Sequence, residues 1–266
     1  MSNMKRIGIA FLLALALVAN ARAGDGAALH VLGFSADGRY FAFEQYGEQN
    51  GSGSLYSIIT AVEIAGDRPA KGMPITAIMD PDNTNLGKAP RDRQLADIRA
   101  KAGAEATTLL QQFGISQTGY QAGQMVASLG DSHSRRILQP EQVKSAMKAV
   151  VATIALPADR FGADARLVLR EFDIALPRCK DLISREHPSG FGLTLERKGR
   201  PTIHLNRDQT IPAARGCPEH YGISEVHALA LPDGSTTLAV VIHYFYPAFE
   251  GPDRRFLVVT GRVAKY

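Results

Sequence analysis

The chain has 266 residues, 45% of them hydrophobic, with 30 basic and 26 acidic side chains and a formal net charge of +4. Three of the basic residues, Lys5, Arg6 and Arg22, lie in the first 23 residues. Without that segment 27 basic residues stand against 26 acidic ones, a balance that gives no electrostatic footprint for nucleic acid.

Residues 1–23 have the three parts of an export signal: the positive Lys5 and Arg6, an uncharged apolar run over 7–18, and small residues at Ala21 and Ala23. The run is shorter than the roughly 20 apolar residues of a membrane-spanning helix. Cleavage after Ala23 is therefore expected over retention as an anchor, with no stable membrane span afterwards. The remaining 243 residues, 24–266, suit one large domain, periplasmic or secreted.

The mature part opens with a predicted meander. Strands over 29–34 and 40–46 are joined at Asp37-Gly38, a pair that favours tight hairpins. A Gly/Asn/Ser loop over 47–53 leads to a third strand over 55–64, rich in β-branched residues. Residues 80–85, Asp-Pro-Asp-Asn-Thr-Asn, make a turn, and they lack the glycine and distant Glu of a calcium-binding EF-hand loop. The spacing of Leu95, Ile98, Ala102, Leu109 and Phe113 predicts one main amphipathic helix over about 91–113, between Pro90 and Gly114. Residues 115–147 carry little periodicity beyond a short helix opening at Gln139-Pro140-Glu141.

Strands resume over 150–156 and 166–176, followed by a hairpin from 191–196 to 201–206. A second Asp-Gly hairpin runs from 226–231 through Asp233-Gly234 to 237–246, and 255–263 closes the chain. Both Asp-Gly hairpins resemble the innermost hairpin of a β-propeller blade. Two such hairpins are too few for a propeller of four or more blades. The fold class is therefore mainly β: an antiparallel sheet or sandwich with propeller-blade-like hairpins and one helix.

Cys179 and Cys217 are the two cysteines, and in an oxidising compartment an isolated pair most often forms a disulfide. The closed loop is worth about 4 kcal/mol in the loop-entropy account. A divalent-metal site is the alternative, since His220 follows Cys217 at ligand-like spacing and His187 and His204 lie between the cysteines.

Catalytic signatures are sparse. The Gly-x-Ser-x-Gly elbow, His-Glu-x-x-His and phosphate-binding glycine loops do not occur. Ser128-Leu-Gly-Asp-Ser-His-Ser134 collects triad residue types, but triads assemble in space and such a run suits a polar loop. The strongest candidate for recognition is the loop with Tyr246, Phe249, Glu250, Asp253, Arg254 and Arg255, because aromatics and Arg are enriched at binding hot spots.

Three segments together resemble a known family: Gly33-Phe-Ser-Ala-Asp-Gly-Arg-Tyr-Phe-Ala-Phe-Glu-Gln-Tyr-Gly47, Arg215-Gly-Cys-Pro218 with Tyr221, and Phe249-Glu-Gly-Pro-Asp-Arg-Arg-Phe256. The combination is similar to a bacterial family of secreted proteins of unknown function, domain of unknown function 2259. The resemblance implies export and a single domain, and carries no activity, ligand or catalytic residue. The expected function is an exported binding or structural module without cofactor, whose partner is an envelope protein or a small ligand. The alternatives are an envelope hydrolase with a site assembled only by the fold, and a divalent-metal-binding protein.

Overall fold

The computed structural model describes residues 25–49, 51–79, 90–124, 149–183, 187–248 and 251–264. Outside them lie the expected export signal over 1–23, the turn expected over 80–85, the Ser128–Ser134 run, the short helix expected to open at 139–141, Phe249 and Glu250.

Three antiparallel sheets form the body. The first has the order β4 (Arg68–Pro69), β3 (Leu55–Glu63), β2 (Tyr40–Glu48), β1 (Ala28–Ser35) and β6 (Ile115–Gln117), with β5 (Ile75–Met79) also paired to β3. The second runs β14 (Asp253–Val263), β13 (Thr236–Tyr246), β12 (His220–Ala230), β7 (Tyr120–Gln124). The third runs β11 (Ile203–Arg207), β10 (Ser189–Glu196), β9 (Arg166–Asp173), β8 (Ala149–Ala155). Helix α1 (Arg91–Gln112), the single turn α2 (Ala158–Phe161) and 3-10 turns at Ile64–Gly66, Pro177–Cys179 and Ala213–Arg215 complete the regular structure of the described residues. No helix among them is long and apolar enough to cross a membrane.

The sheets stack face to face, with the second in the middle. Leu238, Val240 and Ile242 of β13 pack with Leu167, Leu169, Leu193 and Leu195 of the third sheet. Ala239 and Val241, from the opposite face of the same strand, pack with Phe34, Phe41, Phe43 and Tyr56 of the first. Burial on both faces explains why β13 reads as a continuous apolar run without alternation. On the outer face of the first sheet, Ile98, Ala102 and Ala106 of α1 close on Leu55, Ile59 and Ala77. Small alanines at that contact let the helix axis approach the sheet.

The two Asp-Gly turns meet each other across the first and second sheets. Gly38 has φ 65°, and a Cβ there would lie 2.8 Å from Thr237 Oγ1 and 2.9 Å from Leu231 Cδ2. Glycine thus serves both the positive φ and the close approach. The blade-like hairpins belong to a three-sheet stack.

Some boundaries differ from the sequence pattern. The strand expected over 166–176 ends at Asp173, where the chain turns toward a 3-10 turn at Pro177–Cys179. The strand expected from 226 begins at His220, because Gly222 in its interior lies under the His243 ring and leaves the ladder intact. The short strands β4 to β7 were not anticipated.

Candidate functional site

The long loops emerge at one end of the stack. Gly47 pairs with Tyr56 where β2 gives way to β3, Asp173 with Ser189 where β9 gives way to β10, and Tyr246 with Asp253 where β13 gives way to β14. Residues 174–183 and 208–219 join them there, with Ser189 N–H donating to the Pro218 carbonyl at 2.8 Å. The opposite end closes mostly with short turns such as 36–39, 197–202 and 231–235.

Cys179 and Cys217 cross-link two of the long loops, with sulfurs 2.10 Å apart, Cα atoms 5.6 Å apart and a sequence separation of 38. Both cysteines are buried. Leu182, three residues past Cys179, is 62% exposed.

Beneath these loops lie two buried arginine clusters. Arg255 on β14 donates to Asp25 Oδ2 at 2.5 Å, and its guanidinium lies 4.7 Å from the Tyr56 ring centre and 5.8 Å from that of Tyr246. Tyr56 Oη donates to Asp25 Oδ1 at 3.3 Å, and the Asp25 amide donates to Asp253 Oδ1 at 2.8 Å. Arg254 N–H donates to the Asp25 carbonyl at 2.7 Å, Ala27 N–H to the Arg254 carbonyl at 3.2 Å, and Arg254 Nη2 to the Ala27 carbonyl at 2.9 Å. The first described residues therefore form a strap on the edge of β14, with a parallel bridge between Gly26 and Arg254. A Cβ on Gly47 would sit 3.1 Å from Tyr56 Oη, so glycine gives that hydroxyl room to reach Asp25.

The second cluster surrounds Arg215. Its guanidinium donates to Asp208 Oδ2 at 2.6 Å and Tyr221 Oη at 3.2 Å, and lies 5.3 Å from the Phe191 ring centre. Asp208 in turn accepts the Phe191 amide at 3.0 Å. The Tyr221 amide donates to Glu171 Oε1. A row of rings joins the clusters: Phe191 to Tyr221 at 4.6 Å, Tyr221 to Tyr244 at 6.2 Å, and Tyr244 to Tyr246 at 6.2 Å.

Burial dominates the electrostatics. It pushes the Asp25 carboxyl up against the pull of Arg255. It also raises the phenols of Tyr56, Tyr221 and Tyr244, and that of Tyr246 to about 12. The phenols stay neutral at physiological pH. Each arginine is neutralised by its carboxylate, so the frame cross-links the sheets and the loops above them.

Of the recognition residues read from sequence, Asp253 is buried, Arg254 and Arg255 face inward partners, and Tyr246 is half-buried. His187 is half-buried, His204 is exposed on β11, and His220 is exposed with Nδ1 3.6 Å from Glu171 Oε2. The three histidines are not brought together: among the described residues no three His, Cys, Asp or Glu side chains gather to hold a metal.

Sequence reasoning missed Asp25, Tyr56 and Asp208, whose partners are set by pairing across sheets. It also missed Glu44 on β2. Burial would raise the Glu44 carboxyl, yet Arg99 of α1 and Ser57 hold it below its usual value. Both Arg99 contacts are 2.8 Å, Ser57 donates at 2.9 Å, and the Arg99 guanidinium lies 3.7 Å from the Tyr46 ring centre.

The three segments quoted for the resemblance thus converge: Gly47 meets Tyr56 and Asp25, Arg215 and Tyr221 form the second cluster, and Arg254, Arg255 and Phe256 lie on β14. A family model described as "predicted secreted protein", domain of unknown function 2259, matches residues 42–262. The chain belongs to that family. The family is described as secreted, and its function is unknown. No curated protein and no solved structure matches the chain.

Proposed function

We propose that this member of the secreted family is a non-catalytic binding module of the periplasm or cell envelope, exported by residues 1–23 and engaging its partner with the loop end of the sheet stack. The supporting observation is that loops from all three sheets gather over one cross-linked frame. Binding loops are typically carried by a rigid scaffold in this way. The frame consumes Arg215 and Arg255 internally, so recognition falls to what stands above it: the disulfide-held loop with Leu182, and the half-buried Tyr246 at the end of β13.

Crosslinking in the envelope tests the reading. Leu182→Glu removes captured material, while Lys198→Glu, at the short-turn end with its side chain 79% exposed, retains it. Identical capture by both variants argues against the loop end. Intact mass of the exported protein checks the signal, with Gly24 expected as the first residue.

A further inference from the structure

A second candidate site lies at the other end of the molecule. A cavity of about 360 Å³ opens between the start of β2, the turn after β4 and the C-terminus of α1. That volume falls at the small end of ligand sites, roughly 300–1,000 Å³. Its aromatic wall is Tyr40 and Phe113, stacked with ring centres 4.8 Å apart and both half-exposed.

Two cations and one carboxylate line the same cavity: Arg68, Lys71 and Glu63. Arg68 is paired with Glu63 at 2.8 Å, so these two cancel. Lys71 supplies the excess charge. It stands exposed on a turn closed by Met73 N–H donating to the Ala70 carbonyl at 3.0 Å, and buried Ala70 is fixed to the Ala61 carbonyl at 2.8 Å. The ammonium is therefore carried by a backbone that is held in place.

An aromatic wall, one cation with no carboxylate partner among the described residues, and room for one small molecule define a complementary ligand. We propose that this cavity binds a monoanionic, single-ring aromatic carboxylate. The ring lies against Tyr40 and Phe113, and the carboxylate faces Lys71 and the outer edge of Arg68. Ring contact supplies the apolar area and Lys71 the orientation, the usual division of labour in a small-molecule site. The cavity is separate from the loop end, so this proposal stands or falls independently of the function proposed above.

Benzoate is the probe, with benzyl alcohol (ring without charge) and acetate (charge without ring) as controls. Titration of the ¹⁵N-labelled exported protein at low ionic strength is followed through backbone amides. Benzoate is expected to shift Lys71, Gly72 and Phe113 saturably, and both controls to bind about tenfold more weakly or less. Lys71→Glu reverses the charge on an exposed turn without touching the core, and is expected to weaken benzoate about tenfold at unchanged melting temperature. Absence of a saturable benzoate shift at these amides overturns the proposal. So does acetate or benzyl alcohol binding as well as benzoate, or undiminished binding by Lys71→Glu.

Discussion

Removing the Asp25 carboxylate probes the frame directly. Asp25→Ala leaves the Arg255 guanidinium, whose side chain is 11% exposed, facing two rings with Asp253 at 3.9 Å as its remaining anion. Losing one partner of a buried pair costs about 3–5 kcal/mol, and the nearby Asp253 places this case at the low end. The Tyr56 hydroxyl also loses its acceptor, worth about 1 kcal/mol. The expected loss is about 3–4 kcal/mol, a fall in melting temperature of roughly 6–16 °C for a domain of this size. Arg255→Met is expected to cost less, because Asp25 can take up a proton, and its carboxyl is already pushed up by burial. In that variant the folded-state carboxyl titrates higher still. A raised carboxyl contributes stability at low pH that is lost as pH rises through the folded value, so Arg255→Met should recover on acidification. The double variant removes both charges and should lose at least about 2 kcal/mol less than the sum of the singles. Urea unfolding followed by circular dichroism or tyrosine fluorescence measures all three; the chain has eight Tyr and no Trp. A loss below about 1 kcal/mol for Asp25→Ala, or additivity within about 0.5 kcal/mol, would refute the reasoning.

Other outcomes follow from single features. Reducing the Cys179–Cys217 link, which closes a separation of 38 residues, should lower unfolding stability by about 4 kcal/mol in urea, with under 1 kcal/mol showing that the loops are held without it. Glu44, held low by Arg99 and Ser57, contributes stability above its ordinary value of 4.5 and loses it as pH falls through its folded value. Acid titration should therefore show a stability loss below about pH 4.5 that Glu44→Gln flattens. Gly33→Ala places a methyl at φ 113° against the Gln117 carbonyl, and should cost about 2 kcal/mol or more by the same urea assay, with a neutral result removing the steric argument.

The fold was legible wherever local chemistry and tertiary placement agree. Asp37-Gly38 and Asp233-Gly234 make the turns they favour, and the 91–113 periodicity yields Arg91–Gln112. The helix contact was read less well: Ala106 is buried and Leu109 half-buried, because the sheet selects small residues at closest approach. Short strands such as β4 and β5 carry too few residues to show a period. The candidate site was the least legible part. Asp25 and Arg255 are 230 residues apart, and neither position carries a mark of the other. Asp208 and Arg215 are only seven apart, but their pairing depends on Phe191 and Tyr221 from two different sheets.

The segment 246–256 shows why composition alone could not separate two roles. A binding hot spot needs desolvated arginine on aromatic faces, because ring quadrupoles and exclusion of water strengthen each charge-assisted bond. A buried cross-link between sheets needs the same residues for the same reason. The distinction lies in which partner the arginine meets. Arg255 meets Asp25, Tyr56 and Tyr246 of its own chain, and Arg254 meets the Ala27 carbonyl. Alanine at either position would therefore report on folding before it reported on recognition. Leu182, exposed on the loop that the disulfide fixes, and Lys198, exposed at the far end, let binding be perturbed while the frame stays intact.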